Sequence, residues 1–173
     1  MPLIDNATNV IPFIRYSGVF DFDGLYKMMY NWFFKQRYEF HEKLYKDKVS
    51  TPLGMELEVK WEAHKKITEF IQFWIYVEFH LWDVSEVEVI KNGHKVKMTR
   101  CRMQIKFTGE TKMDYANRFE ENETSKKLFT ILTEKIMNKD IEFLYTDRLT
   151  YIIYELHAEV KKFLGTDTSS NAW

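Results

Sequence analysis

The chain has 173 residues, of which 45% are hydrophobic, 29% charged and 17% aromatic, and 25 Lys and Arg against 26 Asp and Glu give a formal net charge of -1. That length suits one well-filled core, so a single α+β domain over residues 1–165 followed by a polar tail at 166–173 is expected, and the charge balance provides no global field to draw in nucleic acid or an acidic membrane. The lone Cys101 excludes an intramolecular disulfide and fits a reducing, cytoplasmic compartment; "MPLIDNATNVIPF" lacks a signal-peptide pattern, and no run approaches the roughly 20 apolar residues of a membrane helix.

Val10 to Phe20 reads as an extended edge segment, because Pro12 lacks the N–H that a central strand needs. Next, "DFDGLYKMMYNWFFKQ" offers Asp21 or Asp23 as an N-cap and sets Leu25, Met28, Met29, Trp32 and Phe33 at helical spacing. From Arg37 the period falls to two. Tyr38, Phe40, Glu42 and Leu44 share one face of a first strand, and Met55, Leu57, Val59, Trp61 and Ala63 share one face of a second. "FIQFWIYVEFHLW", Phe70 to Trp82, is the third and longest. "VSEVEVIKNGHKVKM" reads as a hairpin turned at Asn92-Gly93, running on through "TRCRMQIKF" and fading beyond Gly109.

Two helices are expected at the end of the chain. One starts at a Thr124 or Ser125 cap and stacks Leu128, Ile131, Leu132 and Ile136; the other stacks Leu149, Ile152, Ile153, Leu156, Val160 and Phe163 and stops at Gly165. The predicted fold is one curved antiparallel sheet, a meander of about five strands, packed by an N-terminal helix and C-terminal helices. This order of elements resembles helix-grip domains, which clasp a hydrophobic ligand between sheet and helix. The resemblance implies a cavity lined by Phe73, Ile75, Phe79, Met103, Ile105 and Leu156, suited to a lipid or an apolar metabolite.

No Gly-rich phosphate loop, G-x-S-x-G, H-E-x-x-H or C-x-x-C occurs, so catalysis is disfavoured and no cofactor is expected. Cys101 alternates with inward apolar residues and reads as an inert thiol. Glu78 and His80 leave one face of a strand, and His41 or His64 could complete a metal site; Glu or His paired with cross-strand neighbours is the simpler reading, so no metal is expected.

The organising feature is the second face of Phe70–Trp82. One face alternates apolar residues as a core requires, but the other carries Trp74, Tyr76, Glu78, His80 and Trp82, a mixture that protein contacts favour. The expected function is a non-catalytic binding or assembly module in which these residues, with Trp173 of the tail as an anchor, meet a protein partner or a second copy. A small apolar ligand is the alternative. A third reading, disfavoured, is single-stranded nucleic acid on Arg100, Arg102 and Lys106 beside Trp74 and Tyr76, because Glu56, Glu58 and Glu62 on another strand of the sheet would neutralise those cations if strand order brings them alongside.

Overall fold

The computed structural model describes residues 5–7, 12–51, 54–91, 93–113, 116, 123–132 and 142–166. Strands β1 (Asp5–Ala7) and β2 (Phe13–Phe20) precede helix α1 (Phe22–Lys35); β3 (Glu39–Thr51), β4 (Gly54–Lys66), β5 (Ile71–Lys91) and β6 (His94–Met113) form the meander. Helix α2 (Glu123–Leu132), a π-helical turn (Glu142–Thr146) and helix α3 (Asp147–Phe163) close the described chain. All pairings are antiparallel, in the order β3-β4-β5-β6, and β6 pairs on its far side with β1 at one end and β2 at the other. The open sheet with its flanking helices is the α+β meander that the periodicity predicts.

One face of this sheet is core. Ile71, Phe73, Ile75, Val77, Phe79 and Leu81 of β5 are buried with Leu57, Val59 and Trp61 of β4 and Met103, Ile105 and Phe107 of β6. Helix α1 closes it with Leu25, Met29, Trp32 and Phe33, and α3 with Leu149, Ile153, Leu156 and Val160, four positions on one helical stripe. Helix α3 comes close to β6 at Gly109, where a β-carbon would meet Ile153 Cδ1 at 2.4 Å and Leu149 Cδ2 at 3.1 Å. Only a residue without a side chain lets α3 lie this near β6.

Helix ends follow local chemistry. Asp21, one of the two expected caps, accepts the Gly24 N–H at 2.8 Å. Helix α3 ends as expected at Gly165, with φ 66°, whose N–H reaches Lys162 O while that of Thr166 reaches Lys161 O. The α1 terminus has the same two-bond pattern, Arg37 to Phe34 O and Tyr38 to Phe33 O, but its left-handed residue is Arg37, with φ 59°.

Several expectations are corrected. β5 is one 21-residue strand containing both the aromatic stretch and the first arm of the hairpin. β6 continues past Gly109 to Met113, because Thr111 and Met113 are buried while Glu110 and Lys112 meet ring side chains on the opposite face. A register shift after Glu42 sets Leu44 opposite Lys60, off the face that Glu42 shares with Trp61. Ile131 of α2 is 52% exposed and Phe163 is exposed, so neither is core. β1 has no counterpart in the sequence pattern. The Gly93 half of the hairpin turn has φ 79° between the paired Lys91 and His94, as a two-residue turn requires, whereas Asn92 lies outside the described residues. So do Trp173 and the tail beyond Thr166, and the expectation that Trp173 anchors a partner falls there. No helix among the described residues is long and apolar enough to cross a membrane.

Candidate functional site: the outer sheet face

Alternation along β5 sends Gln72, Trp74, Tyr76, Glu78, His80 and Trp82 to the face opposite the core. Their register neighbours on β4 are Lys66, His64, Glu62, Lys60 and Glu58, and on β6 Lys112, Glu110, Thr108, Lys106, Gln104 and Arg102. The named contacts of these rings lie within the sheet itself. Trp74 donates its indole N–H to Gln72 Oε1 at 2.9 Å, stacks on the His64 ring at 4.6 Å and has Lys112 Nζ 4.0 Å from its centroid. Tyr76 donates to Glu110 Oε2 at 2.7 Å, and His80 stacks on Trp82 at 3.9 Å. Rings held in this way lose little further freedom when a partner covers them.

Five of the six residues expected to bind a partner are thus on one face, each half-buried, with Trp74 and Tyr76 at one end and His80 and Trp82 at the other. Glu78, between them, pairs with Lys60 at 3.2 Å. It therefore does not join His80 in an E-x-H metal set. His80 Nε2 instead bonds Glu56 and lies 3.9 Å from Glu58 Oε1, while His64 pairs with Glu39 at 3.1 Å. Glu56, Glu58 and His80 are the one group among the described residues with ligand-like spacing, their donor atoms lying within 4.8 Å of one another. Glu56, two residues from Glu58 on the same outward face, reaches His80 beside the β4–β5 register shift between Met55 and Leu57.

Strand order answers the question of the basic run. β4 is flanked by β3 and β5, so Glu62 pairs with Lys43 and Glu56 and Glu58 with His80, one strand short of Arg100 and Arg102. β5 thus lies between those glutamates and the basic strand β6. Arg102 pairs with Asp83 at 2.6 Å instead.

Beyond the Met55–Val84 and Phe20–Thr99 pairings, β5 and β6 continue as a two-stranded arm. Glu86, Glu88, Lys95 and Lys97 form cross-strand ion pairs on one side of it. The other side, continuous with the outer face, carries Val87, Val89, Val96 and Met98. Among the described residues no third strand pairs with this arm, and a lone two-stranded ribbon is marginal in water.

The residues expected to line a cavity are buried in one continuous core with α1 and α3: Phe73, Ile75, Phe79, Met103, Ile105 and Leu156 are each 2% exposed or less. Two tyrosines of the inner side have phenols held far from ionisation. Tyr26, which donates to Glu42, is pushed up to about 12, chiefly by burial and next by that carboxylate, and buried Tyr38 is raised further. Cys101 is buried, and its thiol is pushed up to about 12 by burial and then by Asp83, so it remains protonated at neutral pH. No family model matches this sequence, and no match is found among curated proteins.

Proposed function

We propose that this protein is a non-catalytic assembly module whose outer sheet face, extended by the β5–β6 arm, binds a second copy of the chain. The observation that carries this reading is the row along β5, from Trp74 and Tyr76 through His80 and Trp82 and, past the bulge at Asp83, to Val87 and Val89, opposite the face that the helices cover. A second copy suits the charge pattern. Outward residues of β4 include Glu56, Glu58 and Glu62 with Lys60, whereas those of β6 include Arg100, Arg102, Lys106 and Lys112 with Glu110. A two-fold axis along β5 would set the acidic strand of one copy over the basic strand of the other and bring the two arms together, apolar side to apolar side.

Size is adequate. Five strands about 4.8 Å apart and about ten residues long make a face of roughly 24 by 33 Å, on the order of 800 Å² per copy, the area of a standard interface. A cytoplasmic setting belongs to this reading, since the single thiol is buried and takes no part in the surface.

Sedimentation equilibrium tests it. Wild-type protein at about 100 μM should be dimeric, and Trp74→Ser with Tyr76→Ser should be monomeric, a loss of at least about 2 kcal/mol of association, with a melting temperature within a few degrees of wild type. A wild-type monomer at that concentration, or an unchanged dimer in the variant, overturns the reading.

A further inference from the structure

We infer that the cleft where β2, β5 and β6 meet at the base of the arm binds a nucleotide unit through its phosphate and its base. Arg15, Ser17, Trp82, Arg102 and Gln104 line a cavity of about 390 Å³, and a second of about 370 Å³ shares Ser17 and Arg102 with it and extends to Ser85 and Arg100. The two form one cleft, each half within the size range of small-molecule sites.

Three guanidiniums and one carboxylate line the cleft, the Arg15 guanidinium lying 5.0 Å from the Phe13 ring centroid. Arg15 and Arg100 are exposed, and Arg102 gives its Nε–H to Asp83 Oδ2 at 2.6 Å, which fixes the plane of its guanidinium and leaves the Nη edge to act as a fork. Three positive charges less the one on Asp83 leave two, the charge of a phosphomonoester dianion. An aromatic wall stands beside these cations: the Trp82 indole, backed by the His80 ring. The Gln104 amide and the Ser17 hydroxyl supply neutral donors and acceptors of the kind that read a base edge or a ribose.

The cleft is also built at a local cost. The β5–β6 register shifts between Trp82 and Ser85, and Asp83 sits at φ 56° in that bulge, a conformation an L-residue adopts at a penalty and that here lets its carboxylate meet Arg102 on the outer face. Phosphate beside an aromatic wall is the chemistry shared by a free nucleotide and a single nucleic-acid strand.

The cleft shares Trp82, Arg100 and Arg102 with the face assigned to self-assembly, so binding is expected of the monomeric Trp74→Ser, Tyr76→Ser protein, whose other cleft residues are untouched, and wild type is titrated in parallel. Calorimetry with AMP should show binding, with adenosine and inorganic phosphate each weaker by about tenfold or more. Arg15→Ala with Arg100→Ala, both exposed, should weaken AMP by about tenfold or more, while Lys46→Ala on β3 changes nothing. An oligothymidylate of about ten nucleotides that binds more than tenfold tighter than AMP, and loses that affinity in the arginine variant, identifies a strand as the source of the same chemistry. No binding of either probe, phosphate alone binding as tightly as AMP, or an arginine variant with unchanged affinity overturns the inference.

Discussion

Gly54 on β4 lies against the backbone of Asp83 on β5 so closely that a β-carbon at Gly54 would stand 2.6 Å from the Asp83 carbonyl carbon and 2.8 Å from its Cα. Both residues have positive φ, 134° and 56°. The glycine admits the bulge, and the bulge carries the carboxylate that fixes Arg102.

Gly54→Ala should therefore cost about 2 kcal/mol or more, since neither the dihedral nor the space suits a side chain and the obstructing atoms are backbone. Replacing Asp83 separates strain from charge. Asp83→Gly should be more stable than Asp83→Ala by about 1 kcal/mol, because both lose the same exposed ion pair and only glycine is at ease at that φ. Urea denaturation of the three variants is the measurement; equal stability of the two Asp83 variants would show that the bulge stores no strain.

Arg37 provides a test with the opposite sign. It occupies the left-handed position at the end of α1, Tyr38 follows with its ring 5.8 Å from that of Phe33, and the arrangement is one that glycine serves best. Arg37→Gly should raise stability by about 0.5–1 kcal/mol, the relief of the left-handed penalty less the added entropy of the unfolded chain. A fall in the urea midpoint would mean that the Arg37 side chain contributes more than its backbone costs.

His157 on α3 makes acid stability legible at one residue. Burial first, then the charge of Lys161, lower its pKa from 6.5 against a weaker opposing hydrogen bond with the Phe13 backbone, and its ring packs edge-on to Phe107 at 5.8 Å. Because the folded-state pKa lies below the unfolded one, the unfolded chain binds the proton more readily. The contribution is present in full above about pH 6.5 and is lost as pH falls from there through the folded-state value. His157→Gln should lose less stability than wild type between pH 7.5 and pH 5, as measured by thermal melts; parallel curves would contradict this.

Much of the architecture is local, and local features are legible in a sequence. The two-residue period of Ile71–Leu81, the Asp21 cap and the Gly165 stop each arise from neighbours a few positions apart, and each stands in the structure where the pattern sets it. The same period was enough to gather Trp74, Tyr76, Glu78, His80 and Trp82 on one face.

Strand order and register belonged to the tertiary structure alone. Placing β5 between β4 and β6 keeps Glu56, Glu58 and Glu62 from Arg100 and Arg102, and no window of sequence contains that distance. The shifts at Glu42 and Asp83 redirect Leu44 to the outer face and Asp83 to Arg102, reversing what strict alternation implies. A bulge is decided by how two strands settle against each other and against the helices beneath them. That energy is shared among residues dozens of positions apart, so it appears only when the chain has folded.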